Sequence, residues 1–126
     1  MHPVLKLMKI LIITLGLLAF FQFDSFAQTD FSLEAGQVML MTGKGKGQDG
    51  SINPYYGEDC IAVIENFGKN PLSLRIQEDG EILNMIPLAA GETLRLELLA
   101  DHELYFDAEL DGEVNVRLDY EKMDPQ

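Results

Sequence analysis

The chain has 126 residues, 9 Lys+Arg against 21 Asp+Glu, a formal net charge of −12 and 47% hydrophobic residues. That balance lacks the basic footprint that nucleic acid or an anionic lipid surface requires, so neither is an expected partner. A single cysteine excludes an internal disulfide framework, and the fold must stand on its core alone.

Lys6 and Lys9 precede the apolar run Ile10 to Phe21, and Ser25-Phe26-Ala27 offers a small-x-small cleavage site. Residues 1–27 therefore read as a cleaved secretory signal peptide. The run is shorter than the roughly 20 apolar residues that span a bilayer, and no second such run follows, so the mature chain has no expected membrane span. No cysteine stands near the cleavage site to accept a lipid. The expected location is the periplasm or the extracellular medium, and residues 28–126 form one expected domain.

Gln28 to Ser32 reads as a loose tail and Leu33 to Thr42 as a first strand. Residues 43–59 (GKGKGQDGSINPYYGED) are the longest segment without periodicity, and long loops of this kind are often functional or flexible. Within it, Gly45-Lys46-Gly47-Gln48-Asp49-Gly50 matches the spacing of a dinucleotide-binding glycine motif. The physics of that motif needs a following helix whose amides hold a pyrophosphate, and Ser51-Ile52-Asn53-Pro54 has no helical period. The adjacent Tyr55 and Tyr56, with Lys44 and Lys46, are instead candidates for binding a protein surface or stacking on a glycan.

Cys60 to Glu65 has consecutive apolar residues and reads as a central strand buried on both faces. Asn66 to Pro71 is a turn by composition, and Leu72 to Gln77 places Leu72, Leu74 and Ile76 on one face. Asp79-Gly80 predicts a type I′ hairpin pairing Glu78 with Glu81, Ile76 with Leu83 and Leu74 with Met85. That register leaves Ile82 and Ile86 on the outer face as a second candidate contact surface. Pro87 to Gly91 is expected to carry the chain to another sheet, and Glu92 to Leu98 resumes the alternation.

Glu103 to Glu121 alternates on both sides of Asp111-Gly112. Read as neighbours, its two halves form a bulged hairpin pairing Ala108 with Val114 and Phe106 with Val116, with Tyr105 beside Arg117. The same pairing crowds Glu103, Asp107, Glu109, Glu113 and Asp119 onto one face, a candidate surface for a cation or a basic partner. No EF-hand spacing organises these acids.

About seven strands and no helix predict a small antiparallel β-sandwich, immunoglobulin-like or jelly-roll-like. Ile64-Glu65-Asn66-Phe67-Gly68, then Leu72-Ser73-Leu74 and Pro87 to Thr93, are similar to patterns in bacterial immunoglobulin-like modules, a generic resemblance. His102 lies at a turn with no serine in a nucleophile elbow, and one Cys with one His falls short of a zinc ligand set. Cys60 begins an apolar run and reads as a buried, unreactive thiol. No enzyme activity, metal or cofactor is expected. The expected function is a secreted or periplasmic, non-catalytic binding or accessory module for a protein or glycan. The alternative is an assembly subunit that self-associates through an edge strand or its N-terminal tail.

Overall fold

The structure, a computed structural model, describes residues 28–123. The expected signal peptide lies outside the described residues. Eight strands follow in order: β1 (Thr29–Leu33), β2 (Val38–Thr42), β3 (Cys60–Asn66), β4 (Leu72–Glu78), β5 (Glu81–Leu88), β6 (Thr93–Leu98), β7 (Glu103–Ala108) and β8 (Val114–Lys122). They form two four-stranded sheets, ordered β1-β8-β3-β6 and β2-β7-β4-β5, with every pairing antiparallel. Every connection except the β4–β5 hairpin crosses from one sheet to the other. Eight strands wound this way make a jelly roll, which settles the choice left open between that and an immunoglobulin-like sandwich.

Alternation in sequence becomes alternation in burial. Leu72, Leu74 and Ile76 of β4, Leu104, Phe106 and Ala108 of β7, and Val114, Val116, Leu118 and Tyr120 of β8 fill the space between the sheets. Each fully buried large apolar side chain contributes about 1.5–3 kcal/mol. Cys60, Ala62 and Ile64 join this core from β3, while Ile61 and Val63 are only half-buried on the outer face. β3 is central, as expected, but no second layer covers it.

Three registers differ from the sequence expectations. The segment read as a tail is β1, paired with β8, because a turn at Glu34 to Gln37 splits it from β2. Gly36 takes the left-handed conformation there, with φ of 75°. The Asp79-Gly80 turn has positive φ at both residues, as a type I′ turn demands, and Glu78 does oppose Glu81. One residue later a bulge at Leu83 shifts the ladder, so Ile76 opposes Asn84 and Leu74 opposes Ile86. A one-residue slip exchanges the faces. Ile86 packs on the core, and Met85 points out. Lastly, β7 and β8 are not neighbours at all: β7 lies between β2 and β4, and β8 between β1 and β3.

A buried asparagine ties the two sheets together at one end. The Asn66 amide donates to the carbonyls of Asn70 (2.9 Å) and Leu88 (3.2 Å), and its oxygen accepts from the Gly68 amide (3.1 Å). Its backbone bonds Glu92 and Gly91 across the β5–β6 connection. An amide buried to this depth is tolerated because every polar atom has a partner.

Candidate functional site

The loop 43–59 is shaped by its own hydrogen bonds. The Asp49 carboxylate accepts from three successive amides, Gly43 (3.1 Å), Lys44 (2.9 Å) and Gly45 (3.1 Å). The Gly50 and Ser51 amides donate to Leu40 and Met41 of β2, and the Ser51 hydroxyl bonds both the Met41 carbonyl and the Tyr120 phenol (2.7 Å). Burial drives the Tyr120 phenol far above its ordinary range, so it stays protonated and able to hold this tie. Gly43 is a steric requirement: a Cβ there would sit 2.6 Å from the Glu103 Cα.

The two tyrosines part company. Tyr55 is half-buried against the core, and its amide donates to the Asn53 side chain (2.8 Å). Tyr56 is exposed and, with Ile52, Asn53 and Lys46, lines an open cleft of about 430 Å³. Lys44 and Lys46 are both exposed.

The acids do not share one face. Glu103 and Asp107 belong to β7, with Glu109 just past its end, whereas Asp119 belongs to β8 in the opposite sheet, with Glu113 just before its start. Among the described residues no group of three or more His, Cys, Asp or Glu is placed to hold a metal ion. Glu103 accepts from the Tyr105 hydroxyl (2.9 Å), Glu109 from Ser73 (3.3 Å) and Asp119 from the Tyr120 amide (2.8 Å). Asp107 is held by Arg75.

Nor does Tyr105 meet Arg117. Arg117 belongs to the first sheet, where it pairs with Asp30 (2.8 Å) and Glu65 (3.3 Å) and lies over the Phe67 ring at 4.9 Å. Tyr105 lies beneath Arg75, 4.2 Å from guanidinium carbon to ring centroid. Arg75 grips Asp107 through two bonds of 2.9 Å and also reaches Gln77. Burial and then the Glu103 carboxylate raise the Tyr105 phenol above its ordinary range.

These residues occupy the middle of the outer face of the β2-β7-β4-β5 sheet. One row crosses all four strands, from Leu40 to Tyr105 to Arg75 to Met85, and the next runs Val38, Asp107, Ser73, Pro87. Val38, Ile82, Leu83 and Met85 are each about half exposed, between 47% and 53%. Sequence reasoning offered part of this face through Ile82, but set Ile86 beside it where the bulge instead turns Met85 outward, and missed its centre because the adjacency of β4 and β7 is non-local. Its signal in the sequence is only that Arg75 and Asp107 both stand at outward positions.

His102 and Cys60 are both structural. The imidazole Nδ1 accepts from the Leu99 amide (3.2 Å) and shapes the β6–β7 turn. Cys60 is buried, which raises its thiol above the ordinary value and keeps it protonated.

No protein-family model matches the chain, and no curated protein matches it. Among solved structures, it is similar to a crystal structure of PirA, with a TM-score of 0.57 and 16% identity, over 76% of this chain and 94% of that one. A cupin protein from Bacteroides fragilis is similar at a TM-score of 0.48 and 17% identity, over 79% of this chain and 70% of that one. A structure described as Bacillus endospore appendages forming disulfide-linked pili is similar at 0.44 and 9%, over 77% and 86%. At such identities, the first of these likenesses is one of fold alone.

Proposed function

We propose that the protein is an exported, non-catalytic accessory module that binds a partner protein through the outer face of the β2-β7-β4-β5 sheet. One observation carries this reading: four large apolar side chains, Val38, Ile82, Leu83 and Met85, stand half exposed on a sheet whose inner face already completes the core. Between them lie an aromatic ring and a neutralised guanidinium, the composition that enriches the centre of protein interfaces. The non-catalytic part is supported by the commitment of His102 and Cys60 to structural contacts. Export is supported by the apolar run and cleavage signal in residues 1–27. Among the described residues no helix is long and apolar enough to cross a membrane.

The test is capture of partners from the exported protein fraction by the wild type and by Met85→Glu and Tyr56→Ala variants. Loss of the captured species with Met85→Glu and retention with Tyr56→Ala is expected. Equal capture by Met85→Glu would sink the proposal. A loss confined to Tyr56→Ala would favour the second reading, a glycan or protein bound in the cleft that Tyr56 lines with Ile52.

A further inference from the structure

We infer that two copies of the chain join through the open edge of β6, pairing antiparallel about a twofold axis at Leu96. This contact lies on the other sheet from the face proposed for a partner protein and does not depend on it. β6 pairs with β3 alone, in a register without a bulge, and among the described residues no loop bond reaches the backbone of Thr93, Arg95 or Glu97. The other edges are blunted or mismatched. The Gly50 and Ser51 amides occupy the Leu40 and Met41 carbonyls of β2, and β5 carries the bulge at Leu83 and Pro87, which has no amide hydrogen. β1 has no cation to meet the Asp30 of a second copy.

Hydrogen-bond parity selects the pairing. The Asn66 amide bonds the carbonyl of Glu92, the next pair along the β3–β6 ladder, at 2.9 Å. Alternation along an antiparallel ladder then turns the backbone groups of Leu94, Leu96 and Leu98 to β3 and those of Thr93, Arg95 and Glu97 to the open edge. An axis at Leu96 sets Arg95 of each copy against Glu97 of the other, each pair exchanging both backbone bonds. An axis at Arg95 or at Glu97 would set like charges directly opposite, which destabilises a sheet.

The side chains agree with the backbone. Glu97 is exposed and has no ion-pair partner among the described residues, whereas Arg95, its side chain 58% exposed, holds Glu121 and keeps further donors free to share. On the inner side Leu94 and Leu96 are only half-buried at the margin of the core, and this axis covers Leu96 with its own copy and Leu94 with Leu98. The net charge of −12 on each copy opposes approach, but physiological salt screens it beyond about 8 Å, and the edge contacts lie inside that distance. The product is a closed dimer with one continuous sheet.

Sedimentation across a concentration series tests this, with circular dichroism and the thermal midpoint showing that each variant is folded. The wild type should pass from monomer to dimer as concentration rises. Arg95→Glu and Glu97→Arg should each weaken the dimer about tenfold or more, since each sets like charges opposite on both sides of the axis. At a concentration where neither variant dimerises alone, an equal mixture should dimerise, because one copy then offers two acids and the other two cations. Leu96→Cys copies treated with diamide should link across the axis, where facing Cα atoms lie about 4.5 Å apart, and Leu94→Cys copies should not.

A wild type that stays monomeric into the millimolar range overturns the inference. So does a dimer indifferent to R95E and E97R, an equal mixture that stays monomeric, or failure of the Leu96→Cys copies to link. A dimer that Met85→Glu abolishes moves the contact to the other sheet and equally overturns it.

Discussion

The sandwich has two outer faces built on the same plan and finished differently. Each places an arginine near its centre over an aromatic ring: Arg75 over Tyr105 on one, Arg117 over Phe67 on the other. Around Arg117 the surface is polar, with Asp30, Glu65 and Asn115 alongside and the Arg95–Glu121 pair further along. Around Arg75 the neighbours are Leu40, Met85 and Pro87, and the Arg75–Asp107 pair is about 80% covered. Water finishes the first face, whereas the second keeps apolar area in contact with water, at a cost that a partner would relieve.

The largest effect tests the frame that both faces share. Asn66→Ala removes three side-chain hydrogen bonds and leaves the buried carbonyl of Leu88 and the partly buried one of Asn70 without that donor. A loss of about 3 kcal/mol in urea unfolding is expected, with amide protection falling in both sheets together. Protection lost in one sheet alone would show that the two faces are not one cooperative unit.

The arginines give the next comparison. Arg75→Ala strips a covered carboxylate of its bidentate partner and should cost about 2 kcal/mol. Arg117→Ala acts on a half-exposed pair, where solvent screening leaves little to lose, and its urea midpoint should move several times less. Equal shifts would break the contrast between the faces.

Met85→Glu should be smaller still in stability, within about 0.5 kcal/mol, since the side chain already meets water. Its effect belongs to binding, and a large destabilisation would mean that Met85 is a core residue after all.

The smallest effect is electrostatic. The hydrogen bond from Arg117 holds the Asp30 carboxyl below its ordinary value. A carboxyl depressed in the folded state adds stability that is complete above the unfolded value, about pH 4, and disappears as pH falls through the lower folded value. An NMR titration should show Asp30 returning to the ordinary range in Arg117→Ala. An unshifted Asp30 in the wild type would show that the polar face is not organised by this pair.

The strands themselves were legible because alternation is local. Leu72, Leu74 and Ile76, or Phe106 and Ala108, declare their inward face within a few residues. The all-β sandwich and the loop after Thr42 follow from that pattern and from the glycines. Of the candidate sites, the position of Tyr56 on an exposed loop was readable, whereas the commitment of Tyr55 to the core was not. The acidic set was assembled on a pairing of β7 with β8 that the fold does not make.

The sequence alone determined which side of each regular strand meets the core, because the period-two pattern and the hydrophobic effect act on neighbours along the chain. It also determined the type I′ turn at Asp79-Gly80, whose positive φ angles those residues accept. Only the tertiary structure decided which strands lie side by side. A hairpin and a crossover impose the same alternation on β7 and β8, and the choice rests on burying both sheets at once. The bulge at Leu83 was decided there too, and with it the outward turn of Met85, since a one-residue slip is fixed by packing against β4 and not by the turn that precedes it.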